Sequence, residues 1–271
     1  MVEEQKDRRV ALVTGSTDGL GAEVARRLGA RGWHVLLHGR DRRRGESLAR
    51  DIDAGPGGAT FYEADFAALS QVRHLADEIL RDCDRLNVLV NNAGILLRGD
   101  ERRESDDGYE LHFAVNHLAH FLLTRLILPL LERSAPARII NVASGAQQAL
   151  DFDDLMLERG YTGGSGYARS KLAQVLFTID LAQELEGTGI DVVALHPATL
   201  MDTRMVREAG YRPRSSVDEG ADAVMRLVTD DVESGEYFDG QVAARAHEQA
   251  YDEEARGRLR RVSEELTGAG G

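Results

Sequence analysis

The stretch "GYARSK" (166–171) sets a tyrosine and a lysine four residues apart, Tyr167 and Lys171. In a helix that spacing puts both on one face, about 6 Å apart along the axis. A free phenol, with a pKa of about 10, is a poor base at neutral pH. A fixed ammonium beside it favours the phenolate and lowers that value, so the pair can give a proton to an oxygen or remove one. An aromatic ring packed on an aliphatic stem is the ordinary alternative. Of 33 Lys and Arg residues only two are lysines, Lys6 and Lys171. A chain that uses arginine almost everywhere keeps lysine here, where a compact charge with three donors does what a broad, planar guanidinium cannot.

A second group of residues has the chemistry of a phosphate cradle. "TGSTDGLG" (14–21) follows the apolar run "VALVT" (10–14) and opens a helical pattern. Gly15, Gly19 and Gly21, with Ser16, Thr17, Asp18 and Leu20 between them, have the spacing G-x-x-x-G-x-G. Glycines permit the tight turn and let backbone amides approach a pyrophosphate at a helix N-terminus. The next apolar run ends in "HGRD" (38–41). A carboxylate at that point would receive the ribose hydroxyls of NAD, whereas an arginine accommodates the extra phosphate of NADP. Gly39 stands where the acid is expected and Arg40 follows, so the expected cofactor is NADP. The rival is NAD, with Asp41 reaching the ribose, although Asp41 is also well placed to begin the following helix.

These groups need a scaffold that brings strand ends together. Apolar runs at 10–14, 34–38, 60–64, 87–91, 138–143, 191–196 and 236–240 alternate with amphipathic helical stretches such as Leu69, Val72, Leu75, Ala76, Ile79 and Leu80. Several of the runs are apolar almost throughout, as in a sheet covered on both faces. The rhythm predicts an α/β fold, a doubly wound parallel sheet of about seven strands with helices on both faces, in a single domain spanning 1–271. Residues 1–8 form a polar stub. Residues 145–166 and 197–216 break the rhythm beyond carboxyl ends of strands, where such sheets bind ligands, and 197–216 is expected to be a substrate lid. There, Met201, Met205 and Tyr211 either line a hydrophobic pocket or form the lid's own core.

A formal net charge of −13 argues against nucleic acid or an anionic membrane as partner. No apolar run approaches the roughly 18–20 residues that span a bilayer, and the start lacks the apolar segment of a signal peptide. A soluble, cytoplasmic protein is the expectation. The single cysteine, Cys83, leaves no intrachain disulfide. His112, His117, His120 and His196 match no metal-site spacing and are assigned to packing and helix surface, so no metal is expected.

Taken together, "TGSTDGLG", "NNAG" (91–94), Asn116, Ser144, and Tyr167 with Lys171 resemble the short-chain dehydrogenase/reductase family over essentially the whole chain. The length fits members without an enlarged C-terminal region. "VNHLAHFLLT" (115–124), "FDDL" (152–155), "YARSKLAQVLF" (167–177) and "RVSEELTG" (261–268) are similar to its retinol-dehydrogenase-like branch. The resemblance implies a Rossmann-type fold and an NADP(H)-dependent oxidoreductase that interconverts a carbonyl and an alcohol. In that reading Ser144 positions the substrate oxygen, Tyr167 transfers the proton, Lys171 tunes it and grips the nicotinamide ribose, and Asn116 holds a relay water. Asp65 would accept from the adenine amino group, with Phe66 lending its amide, and Asn92, Ala93 and Gly94 would pack beside the adenosine side. The resemblance also implies a homodimer or homotetramer paired through helices flanking the sheet. After the sixth strand the family's Pro-Gly is replaced by "HPATLMDT", with Ala198 for glycine and Thr203 one place late, which leaves cofactor contacts from this loop open. A non-catalytic dinucleotide-binding sensor or scaffold of the same fold is the alternative.

Overall fold

In the computed structural model, which describes residues 8–269, neighbouring residues along each strand point to opposite faces of one sheet. Lys6 and the stub up to residue 7 lie outside the described residues. The strands are β1 (Val10–Val13), β2 (His34–Gly39), β3 (Gly58–Glu63), β4 (Val88–Asn91), β5 (Ala137–Val142), β6 (Ile190–His196), β7 (Tyr237–Asp239) and β8 (Val242–Ala244). Their order is β3-β2-β1-β4-β5-β6-β7-β8. Every pairing is parallel except β7 with β8. The doubly wound Rossmann-type architecture agrees with the sequence reading, and the eighth strand is an addition to the expected seven. β8 is three exposed residues of sequence VAA, with no alternation to announce it.

The all-apolar strands are explained by two separate cores. Leu12, Leu36, Leu89, Ile139 and Val192 lie in one row across the sheet and pack under α3 (Leu69–Asp82), α4 (Ala119–Arg133) and α5 (Gly163–Glu184). Their neighbours Val13, Val35, Val90, Ile140 and Val193 pack on the other face under α1 (Gly19–Ala30), α2 (Arg42–Asp53) and α7 (Val217–Thr229). Strands buried on both faces cannot afford polar alternation. His38, Asn91 and Asn141 are buried exceptions. The Asn91 amide donates to Asn141 Oδ1 at 2.8 Å and to Thr124 at 3.0 Å, pinning the central strands to α4.

α5, the helix carrying Tyr167 and Lys171, is buried nearly all round. The sheet covers one side, and α8 (Glu253–Thr267) lies along another. α8 is capped by Asp252, which accepts from Glu254 N at 2.9 Å, and closes on Gly268 in the left-handed region. It anchors through buried Arg256, which donates to Ala250 O at 3.1 Å and to Gln183 Oε1 at 3.3 Å.

The segment Phe113–Arg133 corrects one expectation. Its 21 residues hold an 18-residue window of mean hydropathy 1.4, long and apolar enough to cross a membrane. Arg125 interrupts the apolar run in the sequence, but the helical segment as a whole meets the length. In the fold 78% of that apolar window is buried inside the protein, which accounts for its composition by core packing.

Candidate active site

The chemistry-bearing residues emerge at the carboxyl ends of β1, β2, β4, β5 and β6, where the strand order turns outward from β1 and β4. The glycine loop is held to both neighbours. Ser16 is buried and brackets His38, accepting from its N–H at 3.0 Å and donating to its carbonyl. Asn92 donates through its amide to Thr14 O at 2.7 Å and Gly15 O at 3.2 Å. The loop tolerates no side chains where it turns. Gly15 has φ +64°, and a Cβ there would lie 2.7 Å from Ala93 Cα. A Cβ on Gly21 would lie 2.4 Å from Gly15 O. Such a bare backbone cradle at the N-terminus of α1 fits a pyrophosphate. Leu20 turns its side chain into the core, leaving only its backbone for a ligand. Asp18 caps α1 by accepting from Gly19 N at 2.8 Å and pairs with Arg44 at 2.8 Å.

The end of the candidate site beside β2 and β3 is open and charged. A Cβ on Gly39 would stand 2.6 Å from Thr17 Cγ2, so a carboxylate has no room at the position an NAD enzyme would use. Arg40 is 62% exposed, and its ion pair with Asp65 is long at 3.4 Å. Asp41 accepts from Arg44 N at 3.0 Å as the cap of α2 and is engaged there rather than free for a ribose. Asp65 also accepts from Ala67 N at 3.0 Å, and Phe66 is buried, stacked on His38 with ring centroids 4.3 Å apart.

At the other end Ser144 and Lys171 are buried and Tyr167 is half-buried. Ser144 lies two residues past β5. Its Oγ accepts from Ala146 N at 3.1 Å, and its carbonyl accepts from the Tyr237 hydroxyl at 3.1 Å and the Gln147 amide at 2.9 Å. Lys171 is 4% exposed, with its Nζ 5.8 Å from the centre of the Tyr167 ring. It donates to Val142 O and to Gln174 Oε1, each at 2.8 Å. Burial lowers its pKa to about 7. Burial raises the Tyr167 phenol above its ordinary value, and the Ser144 hydroxyl opposes that rise. The expected acidification of Tyr167 by Lys171 is therefore outweighed in the protein alone. Lys171 meets its own desolvation and is only partly charged at neutral pH.

Asn116 sits in a single π-helical turn, Phe113–Leu118, ahead of α4. Its Oδ1 accepts from Ile95 N at 2.8 Å, and its amide donates to Ser170 Oγ at 2.9 Å and Ile95 O at 3.2 Å. A Cβ on Gly94 would lie 3.2 Å from Asn116 Oδ1 and 3.6 Å from Lys171 Nζ, so Gly94 floors this end of the site. Residues assigned to packing in the sequence turn out to brace it. His112 donates through Nδ1 to Glu110 at 2.8 Å and accepts at Nε2 from Leu97 N at 3.0 Å, and a Cβ on Gly166 would lie 2.7 Å from that ring. His117 and His120 are buried, not on a helix surface, and burial lowers both to a pKa of about 3. Among the described residues no group of three His, Cys, Asp or Glu could hold a metal.

Residues 197–216 include a short helix, α6 (Arg204–Glu208), and the loop is cinched by Asp202 N to Ser215 O at 3.0 Å. Met201 wedges against Gly220 of α7 and joins that core. Tyr211 stacks under the Arg98 guanidinium, 4.7 Å from its ring centre. Thr203 caps α6 and brings its methyl beside Gly19. The displaced threonine thus still reaches the glycine loop.

The sequence model of the short chain dehydrogenase family matches residues 9–213. The chain belongs to this family. It is 40% identical to retinol dehydrogenase 11 of Mus musculus over 196 residues, covering 71% of this chain and 61% of that protein. It is 35% identical to retinol dehydrogenase 13 of Homo sapiens over 287 residues, covering 96% and 85%. Among solved structures, an uncharacterized protein from Mycobacterium Paratuberculosis superposes with a TM-score of 0.81 at 30% identity, covering 96% and 93% of the two chains. A short chain dehydrogenase from Burkholderia cenocepacia, in complex with NADP, gives 0.70 at 27%, covering 86% and 95%.

Proposed function

We propose that the protein is an NADP(H)-dependent oxidoreductase that interconverts a carbonyl and an alcohol on a small molecule. The observation that carries this reading is the buried Lys171 amine held 5.8 Å from the Tyr167 ring, whose hydroxyl lies beside that of Ser144. The nicotinamide supplies or accepts the hydride when bound. Ser144, fixed by Ala146, Gln147 and Tyr237, donates a hydrogen bond to the substrate oxygen and orients it toward Tyr167. Tyr167 delivers its proton to that oxygen during reduction and removes one during oxidation. Lys171 reaches the ribose and favours the phenolate. Asn116 aligns Ile95 and Ser170 beside Lys171, and the second lone pair on its Oδ1 can hold the relay water. Gly15, Ser16, Thr17, Asp18, Gly19, Leu20 and Gly21 hold the pyrophosphate, mostly by backbone. Asp65 and Phe66 meet the adenine, and Asn92, Ala93 and Gly94 support the adenosine side.

NADP is preferred over NAD because Thr17 fills the space of an acid at Gly39, while Arg40 is free to fork onto a 2′-phosphate. The NADP-bound relative supports the same choice. One domain in a cytoplasmic setting, without a membrane or nucleic-acid partner, completes the reading. Homodimeric or homotetrameric pairing would have to leave room for α8 along α5. The test is to follow NADPH consumption against a panel of aldehydes and ketones. Turnover with at least one, with NADH much poorer, is expected. Tight NADPH binding without turnover on any would return the protein to a dinucleotide-binding sensor or scaffold.

A further inference from the structure

Gln174 lies one turn beyond Lys171 in α5 and is 1% exposed. An ammonium has only donors, so the amide must present its oxygen to Lys171, at 2.8 Å. Its nitrogen then faces the His120 ring, 3.5 Å from Nδ1. That ring nitrogen stands 3.0 Å from Asn116 O, and a carbonyl there requires an N–H. The neutral ring therefore accepts at Nε2, where the Thr14 hydroxyl lies 3.2 Å away. Gln174 is wedged between the amine and a ring that is itself fixed to the glycine strand and to Asn116.

Two of the three protons on the Lys171 ammonium are thus committed, to Val142 O and Gln174 Oε1. One is left for the side where the phenol and the ribose lie. We propose that Gln174 is a positioning residue for the reaction: it aims the Lys171 amine and stabilises its charged form inside the fold. This rests on the assignment of Tyr167 and Lys171 as the proton-transfer pair. The other titratable groups facing the amine are Tyr167, one turn before it on α5, and His120 from α4, while β5 contributes only a carbonyl.

The chain's two lysines make a direct test practical. Lysine labelled with carbon-13 at Cε gives two resonances, and Lys6→Arg removes one. The other reports Lys171 protonation in the cofactor-free, full-length protein. Gln174→Met keeps the shape without the acceptor and should move the Lys171 midpoint down by about one pH unit. Gln174→Glu places a carboxylate at the same distance and should move it up by about one unit or more. Gln174→Met should lower kcat while changing the NADPH KM less, and should carry the limb on which reduction fails to higher pH, since it weakens the charge beside the phenol. A purely structural glutamine would not produce opposite shifts of one amine. Midpoints that stay put, or that move the same way in both variants, would overturn the proposal. Because this readout needs neither substrate nor cofactor, it decides on Gln174 even if no carbonyl compound is turned over; that outcome would instead count against the proposed activity.

Discussion

The two ends of the candidate cofactor site are built on opposite physical terms. At the adenosine end Arg40 is 62% exposed and meets Asp65 at 3.4 Å, an ion pair in water that contributes little to stability and is readily exchanged for a phosphate. At the nicotinamide end Lys171 is 4% exposed, and burial shifts its pKa from 10.5 to about 7. Selection between two similar ligands needs only a free charge at the right place. Proton transfer needs groups whose protonation is tuned near working pH, and only desolvation and fixed partners give that. The exposed end should therefore govern which cofactor binds, and the buried end how fast it reacts.

The sharpest way to separate the ends is Lys171→Met, expected to lower kcat by about 10²- to 10⁴-fold. It also has a signature in stability. Between about pH 7 and 10 the unfolded chain holds a proton on this lysine that the folded chain has largely lost, so more protons are bound when unfolded and stability rises with pH. Urea titrations from pH 7.5 to 9.5 should show wild type gaining on Lys171→Met by about 1 kcal/mol per pH unit. A flat difference would mean the amine is not desolvated.

Arg40→Ala comes next. It should raise the Kd for NADPH by about 10- to 100-fold while changing NADH by less than about twofold, measured by nucleotide fluorescence. Equal losses for both nucleotides would erase the division between the ends. The smallest effect is expected from Tyr237→Phe, which removes one of two donors to Ser144 O. A loss of about threefold to tenfold in kcat, with NADPH binding unchanged, fits the value of one neutral hydrogen bond.

The sequence made the sheet and the chemical residues legible for a physical reason. Strands buried on both faces have to be apolar, and a glycine loop between strand and helix is visible as spacing. What stayed hidden was pairing over long distances. Gln174, Tyr237 and Glu110 are unremarkable types, and their roles come from contacts with Lys171, Ser144 and His112 that the fold creates. Asp18 looked like a ligand contact and turns out also to cap α1 and to pair with Arg44. β8 escaped notice because three exposed small residues carry no period. The burial of Lys171, which sets its pKa, could not be read from the spacing to Tyr167 alone. The composition did mark the residue, as one of two lysines in the chain.

The most direct measurement is a pair of assays on Tyr167→Phe with a carbonyl substrate turned over by the wild type. NADPH oxidation should fall by about 10³-fold or more, while the NADPH Kd stays within about twofold. Turnover near the wild-type rate with the phenol hydroxyl removed would contradict the account.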